Sequence, residues 1–319
     1  MHIIILKDVI DYEYGGTLHN LGVLKKEKGK AHAFGYFRKL LKAHTFEYVI
    51  DNRARISSFK ELFYLNYLYR DQRLIYVVRS FNLDLYMPAK VAKKMIQKAT
   101  HIIGVSKKIA ATINQKYATQ KALHIYNPVV IDTHLKAVEK ENFIIAVGRL
   151  DEAVKNYSLL LEAYKASVLK THNVHLRIYG KGPDKAFILD TIKSLDLEGF
   201  VTVEDFTPQI TQVMQQAKFL ALTSRFEGFP RVLIESLSVG TPVVSVACES
   251  GPDEIIQPEK NGLLVENHSI AQLAEAFDRC IEEEDLYNKC QKNAQASVKN
   301  FSLEAITNTW KDFLENGID

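Results

Sequence analysis

The 319-residue sequence has only three cysteines, Cys248, Cys280 and Cys290. Their spacing matches no zinc pattern and an odd number cannot pair completely, so neither a metal ribbon nor a disulfide framework is expected, and a reducing cytoplasm is. Long apolar runs are missing as well: Met1 to Leu6 has the length of a strand, too short for a signal-peptide core or a membrane span. There is no Walker loop and no G-x-G-x-x-G turn, which removes the ATPase and dehydrogenase motifs. A D-x-D metal motif is absent too, since Asp84 stands in LDLY without a second aspartate, so no metal is expected. Without a recognition helix, zinc spacing or aromatic-basic sheet motif, no nucleic-acid partner is expected. Internal repeats, low-complexity tracts and heptad seams are also lacking.

What remains is an ordinary globular composition, 47% hydrophobic and 25% charged, in a chain long enough for two domains. The net charge of +3 hides an asymmetry: residues 1–138 carry 23 Lys or Arg against 10 Asp or Glu, and residues 139–319 carry 18 against 28. A basic front half suits an anionic partner such as a phospholipid surface, a lipid-linked phosphate acceptor or an acidic glycan.

The densest run of turn, cap and charge signals is Ser224 to Val246, SRFEGFPRVLIESLSVGTPVVSV. Phe219 to Leu222 is an apolar run of strand length, followed by a polar turn with Arg225, Glu227 and Gly228. Pro230 suits a first helical position, Val232, Leu233, Leu237 and Val239 give the helix an inward face, and Gly240 ends it. Pro242 to Val246 is the next buried strand. In a parallel sheet this unit puts its turn at the carboxyl edge, where such sheets bind ligands, and its helix start offers free N–H groups to an anion. Glu227 and Glu235 have seven residues between them. Carboxylates there accept hydrogen bonds from sugar hydroxyls.

The run from Glu227 to Glu235 resembles the E-x7-E signature of retaining glycosyltransferases of family 4, and Gly228, Phe229, Pro230, Gly240, Thr241 and Pro242 match around it. The resemblance is strong over residues 100–319 and weak before them. It implies an α/β protein of the GT-B fold, two facing Rossmann-like domains with parallel sheets and a deep cleft between them. The expected division is an acceptor-side domain over residues 1–138, a nucleotide-sugar domain over 139–300, and a helix over 301–319 that crosses back. In FIIAVGRLDEAVKN, a strand Phe143 to Val147 precedes Arg149 and Lys155, which resemble the family's donor-diphosphate pair; a guanidinium and an ammonium suit that charge. Gly180, Gly182 and Pro183 are similar to a Gly-x-Gly-Pro turn beside the nucleotide base, and Phe206 to Pro208 to a stretch packed near it. In CESGPDEII, Ser250 replaces the first glycine of a family-like Gly-Gly-x-x-Glu turn. Ser106 reads as a helix N-cap after the strand Ile102 to Val105, and Asn127 as a shaper of the turn between domains.

The front half is read largely from pattern. His2 to Leu6 predicts a buried first strand, and Asp8 to Tyr14 leads into Gly15 and Gly16, either a plain turn or, by resemblance, a loop facing the acceptor and the donor phosphate. Lys25, Lys26, Lys28 and Lys30 read as a solvated loop that can also touch a membrane surface. Ala31 to Ala43 is helical, and the strand Glu47 to Ile50 precedes Asp51, Asn52, Arg53 and Arg55, placed where ligand-facing loops lie. Phe59 to Tyr69 reads as an aromatic helix of the core. After the strand Leu74 to Val78 come Arg79, Ser80, Phe81 and Asn82, where many family members carry a reaction-site His that this chain lacks. Arg79 and Asn82 are therefore the acceptor-side candidates. Lys90, Lys93, Lys94 and Lys98 lie on one side of an amphipathic helix, either a solvated face or one suited to an anionic membrane.

The resemblance implies a hexosyl- or N-acetylhexosaminyltransferase that uses a nucleotide diphosphate sugar, UDP-sugar favoured and GDP-sugar open, with no required cofactor. The acceptor would be a glycan, a lipid-linked glycan or an anionic polymer of the cell surface, met at the inner face of the plasma membrane. Glu235 would bind the ribose, Arg149 and Lys155 the diphosphate, Glu227 the sugar hydroxyls, and Gly228, Phe229, Pro230 and Arg231 would complete the donor pocket. Two other classes fit the fold: an inactive sugar-nucleotide-binding scaffold, and a phosphorylase or hydrolase of activated sugars.

Overall fold

Short strands rich in β-branched residues alternate with helices, which gives an α/β structure with parallel sheets. The computed structural model describes residues 1–10, 14–131 and 138–316. Its chain divides into two compact units, Met1–Val77 with Leu83–Ile102, and Val78–Asn82 with Ile103–Asp319. The expected boundary at residue 138 abuts residues 132–137, outside the described residues.

In the first unit β1 (His2–Ile5) pairs in parallel with β2 (Thr17–Asn20), His2 opposite Thr17. The first strand is half-buried rather than buried: among the described residues it pairs with β2 alone. Gly16 makes the return possible: its φ is +90°, and a Cβ there would run into the Met1 carbonyl that accepts from the Thr17 N–H at 3.1 Å. Residues 11–13, within the expected lead into the glycine pair, lie outside the described residues. The lysine cluster expected in a loop is helical instead. A helix spans Leu21–Ala43 with a break at Gly29, and Asn20 caps it by accepting from the Val23 N–H. Lys and Glu are strong helix formers, so this stretch is helical even where it shows no apolar stripe.

The strands β3 (Val49–Asp51), β4 (Leu74–Val78) and β5 (Ala99–Gly104) follow, β4 buried along its whole length and parallel to β3. The unit boundary cuts β4 and β5, whose last residues belong to the second unit. Asp51, Arg53 and Arg55 are turned inward rather than toward a ligand-facing loop. Arg53 binds Asp51 Oδ2 at 2.7 Å and Glu61 Oε2 at 3.1 Å, and Arg55 reaches Asp51 Oδ1 at 3.3 Å. The aromatic helix is observed as Ser58–Phe63 continued by a π turn, Tyr64–Leu68.

In the second unit β6 (Ala122–His124) precedes a parallel six-stranded sheet. Its strands are β7 (Phe143–Val147), β8 (His175–Tyr179), β9 (Val201–Glu204), β10 (Leu220–Leu222), β11 (Val243–Val246) and β12 (Gly262–Val265). They lie in the order β12-β11-β10-β7-β8-β9. Helices Tyr157–Ala166 and Ile270–Glu282 contribute Leu160, Tyr164, Leu273 and Phe277 to a core with Ile144 and Phe219. The strand order reverses beside β7 and β10, the topological switch point at which open α/β sheets bind ligands.

Candidate active site

A cavity of about 320 Å³ opens beyond the carboxyl ends of β7 and β10. Its wall includes Lys155, Glu227, Arg231 and Glu235, with Arg79 and Asn127, all within the second unit. That volume is at the lower end of the usual range for small-ligand sites.

The chain between β10 and the helix Arg231–Ser238 builds the floor. Thr223 donates its hydroxyl to the Lys155 carbonyl at 3.0 Å, and the Arg225 N–H donates to the Val154 carbonyl at 2.8 Å, so the β10 loop fixes the turn that carries Lys155. Gly148 leaves room for the Lys155 stem, since a Cβ there would lie 3.1 Å from Lys155 Cε. The Lys155 ammonium then donates to Glu227 Oε1 at 2.6 Å, and the Ser224 hydroxyl donates to the same oxygen at 2.7 Å. Both ions are mostly shielded, at 17% and 14% side-chain exposure. Glu227 Oε2 has no hydrogen-bond partner among the described residues and so keeps its capacity to accept. Glu235 is similar: Arg231 Nη2 reaches its Oε1 at 3.2 Å, and no other hydrogen bond to its carboxylate is present among the described residues.

Gly228 is required by close approach, because a Cβ would run into the Arg79 carbonyl. The segment after β4 thus lies on the Glu227–Gly228 turn, and the Phe81 N–H points at the Glu227 carbonyl at 3.4 Å. Behind the turn, Ser250 donates to the Gly228 carbonyl at 2.8 Å and meets the Ser106 hydroxyl at 2.7 Å. Ser106 also caps its helix, accepting from the Ile109 N–H. Phe229 stacks on Tyr126 with ring centroids 4.7 Å apart. The Tyr126 hydroxyl donates to Glu254, whose carboxylate also accepts from the Lys107 and Lys108 N–H groups, so Glu254 serves a helix start. Pro230 precedes the first helical residue rather than being it, and the helix start has no side-chain cap. Burial, with the Glu227 carboxylate nearby, pushes the Cys248 thiol up to about 12, so it stays neutral and is no nucleophile at neutral pH.

The structure therefore brings Lys155, Glu227, Gly228, Phe229, Pro230, Arg231, Glu235 and Arg79 around one cavity. Arg149 is not in its wall: it is 64% exposed and paired with Asp151 at 2.5 Å. Gly180 and Gly182 are also outside the cavity wall; they pack on the backbone at either side of Arg149, where Cβ atoms would run into the carbonyls of Gly148 and Leu150. Phe206 is 61% exposed, and Asn82 is exposed and outside the cavity wall. Gly15 and Gly16 belong to the first unit. Ser224, which donates to Glu227, was not singled out in the sequence, and Asn127, read there as a shaper of the turn between domains, lies in the cavity wall. Among the described residues no group of three or more His, Cys, Asp or Glu is arranged to hold a metal ion.

The profile of the family described as Glycosyl transferases group 1 matches residues 131–297. An uncharacterized glycosyltransferase of Haemophilus influenzae is 26% identical over 201 residues, 63% of this chain and 57% of that protein. The N-acetylgalactosamine-N,N'-diacetylbacillosaminyl-diphospho-undecaprenol 4-alpha-N-acetylgalactosaminyltransferase of Campylobacter jejuni is 34% identical over 198 residues, 60% of this chain and 53% of that protein. The chain spans about half the length of the curated relatives it matches. Among solved structures, Anabaena Alr3699/HepE in complex with UDP is similar with a TM-score of 0.74 and 21% identity, covering 88% of this chain and 82% of that one. The α/β fold with parallel sheets is thus of the GT-B class.

Proposed function

Since the chain belongs to the glycosyl transferases group 1 family, we propose that it moves a sugar from a nucleotide diphosphate sugar, UDP-sugar favoured, to a glycan or lipid-linked acceptor in cell-surface polysaccharide synthesis. The observation that carries this reading is the Lys155–Glu227 contact of 2.6 Å in the wall of a cavity that also holds Glu235. A cation and two carboxylates, each carboxylate with one oxygen left to accept, suit a ligand that joins an anionic diphosphate to hydroxyl-bearing rings. The UDP in the HepE complex and the undecaprenol-linked acceptor in the Campylobacter relative's name support the same substrate classes.

In this reading Lys155 takes the charge that develops on the leaving diphosphate, with the uncapped start of the helix Arg231–Ser238 beside it. Glu227 holds sugar hydroxyls and Glu235 the ribose, while Gly180, Gly182 and Phe206 lie toward the base. Arg149 joins the diphosphate only by leaving Asp151. Gly15, Gly16, Arg79 and Asn82 stay as the acceptor-side candidates. Retention follows if the acceptor hydroxyl enters on the face from which the diphosphate leaves. The bond from the anomeric carbon to the phosphate oxygen breaks, the bond to the acceptor oxygen forms, and the departing phosphate oxygen takes the acceptor's proton.

The test is a thermal-shift series with UDP, GDP and ADP. A rise in Tm with UDP, lost in Glu235→Ala, is expected. No rise with any nucleotide would move the assignment to a scaffold that has lost its donor.

A further inference from the structure

Two side chains in the cavity wall do no work inside the protein. Lys155 is paired with Glu227 and Arg231 with Glu235, whereas Arg79 and Asn127, which line the same cavity, make no side-chain hydrogen bond or ion pair among the described residues. Three cations thus share that wall with two carboxylates, and the charge left over is the Arg79 guanidinium. Asn127 is half-buried. An asparagine that shapes a turn bonds its own backbone two residues on, and Asn127 makes no such bond, so its amide is free for a ligand.

Both residues are held in place by their main chain and their neighbours. The Val105 N–H donates to the Val78 carbonyl at 3.1 Å and the Ile125 N–H to the Gly104 carbonyl at 3.1 Å, which sets the ends of β4, β5 and β6 side by side. The Arg79 carbonyl packs on Gly228, where there is no room for a Cβ, so Arg79 stays next to the turn that carries Glu227. Beside Asn127, Tyr126 stacks on Phe229, Pro128 disfavours a helical backbone, and the Val129 N–H donates to the Phe301 carbonyl at 2.9 Å. A ligand therefore meets fixed backbone positions, and little beyond side-chain freedom is lost on binding. A guanidinium fork fills a carboxylate by itself, while a phosphate keeps a further oxygen for the Asn127 amide N–H.

We infer that Arg79 and Asn127 form a subsite for a phosphate group on the acceptor, so that the hydroxyl to be glycosylated belongs to a phosphate-bearing molecule. This rests on the donor reading above, which assigns the nucleotide's own diphosphate to Lys155. The test is a thermal-shift titration of the whole chain, saturated with UDP, with glycerol phosphate, glycerol and glycerate at constant ionic strength. A further rise in Tm with glycerol phosphate alone is expected. Its apparent affinity should fall about tenfold in Arg79→Ala and about threefold in Asn127→Ala, and recover in part in Arg79→Lys. The UDP shift should be unchanged in all three variants. Arg79 is exposed and meets Gly228 through its backbone, so Arg79→Ala should keep the wild-type Tm. A UDP shift that shrinks in Arg79→Ala would put Arg79 on the donor's phosphates and overturn the inference. A normal UDP shift with no further rise would overturn it too, as would a rise that persists in Arg79→Ala or is matched by glycerate. No UDP shift in wild type would instead sink the donor reading, and the acceptor subsite with it.

Discussion

Each unit sets a cluster of opposite charges at the carboxyl end of parallel strands, and the two clusters differ in what they leave unsatisfied. In the first unit, Asp51 at the end of β3 has both oxygens occupied, Oδ1 by the Arg53 N–H and Nε and Oδ2 by Arg53 Nη2 and the Tyr69 hydroxyl. Both Glu61 oxygens are taken by Arg53 as well. Asp51, Arg55 and Glu61 are buried, and the Arg53 guanidinium lies 3.8 Å over the Tyr64 ring. In the second unit, Glu227 has two donors on one oxygen and none on the other, beside an open cavity. A closed network holds a fold together, while a half-open one keeps capacity for a ligand. Position at a strand end does not separate the two; the count of unused lone pairs does.

The sharpest way to break this contrast is to open the closed cluster. Asp51→Asn leaves the buried Arg55 without its counter-charge and the part-buried Arg53 with Glu61 alone, and removing one partner of a buried pair costs about 3–5 kcal/mol. Thermal melting should show a large loss, and the Lys155 site should not compensate for it. The native charge carries a pH signature too. Burial opposes the Asp51 carboxylate, but Arg55 and Arg53 more than offset that and hold its pKa below the usual range. Its contribution is therefore complete above the unfolded carboxyl value and lost as pH falls through the lowered folded one.

The half-open cluster should respond in the opposite way. Lys155→Ala removes the cation expected to face the leaving diphosphate, and should cost about 2–4 kcal/mol in kcat/KM with a much smaller change in Tm. Arg149→Ala should cost less, since Arg149 is paired with Asp151 outside the cavity wall. Equal losses in the two variants would mean that Arg149 moves onto the ligand during turnover.

Much of the second unit was legible because its signals are local. Phe143–Val147 and Leu220–Leu222 are bounded apolar runs, and Gly240, at φ +77°, ends the helix that carries Glu235. What the sequence hid was non-local. Nothing near Gly228 announces that the Arg79 carbonyl would touch its Cβ, or that Arg149 prefers a neighbour two residues away. In the first unit the strand was visible as Glu47 to Ile50, but Asp51, Asn52, Arg53 and Arg55 after it read as a binding loop and not as the internal network observed. Only the positions of Glu61 and Tyr69 decide between them. The parallel pairing of β1 with Thr17–Asn20 was also invisible, since TLHN has little strand signal of its own.

A smaller test concerns the support behind the half-open cluster. Ser250 has φ +72°, a left-handed conformation that costs a non-glycine residue about 1–2 kcal/mol. Its hydroxyl donates to the Gly228 carbonyl, so the Ser106 hydroxyl must be the donor in the contact between the two serines. Ser250→Ala keeps the strained backbone and strands both partners in a buried place, at a cost of about 1–3 kcal/mol. If the chain of hydroxyls positions the turn, kcat/KM with a donor should fall further than stability does. A loss of stability alone would make Ser250 a packing residue.

Lys140 is the limiting case, a partly buried cation held by neutral acceptors instead of a carboxylate. Its ammonium donates to the Gln215 carbonyl at 2.8 Å and to Thr241 Oγ1 at 2.6 Å, and the Thr241 hydroxyl itself donates to the Met214 carbonyl. With no opposite charge to offset it, burial lowers its pKa from 10.5 to about 8. The folded chain therefore holds fewer protons than the unfolded chain between those two values, so this group makes stability rise with pH across that window. Lys140→Met should remove the rise, seen as a flatter slope of Tm against pH between the same limits. Raised tyrosine values elsewhere in the chain act in the opposite direction but are common to both proteins, so the difference between the two slopes isolates Lys140. An unchanged slope would mean that the ammonium reaches water in solution.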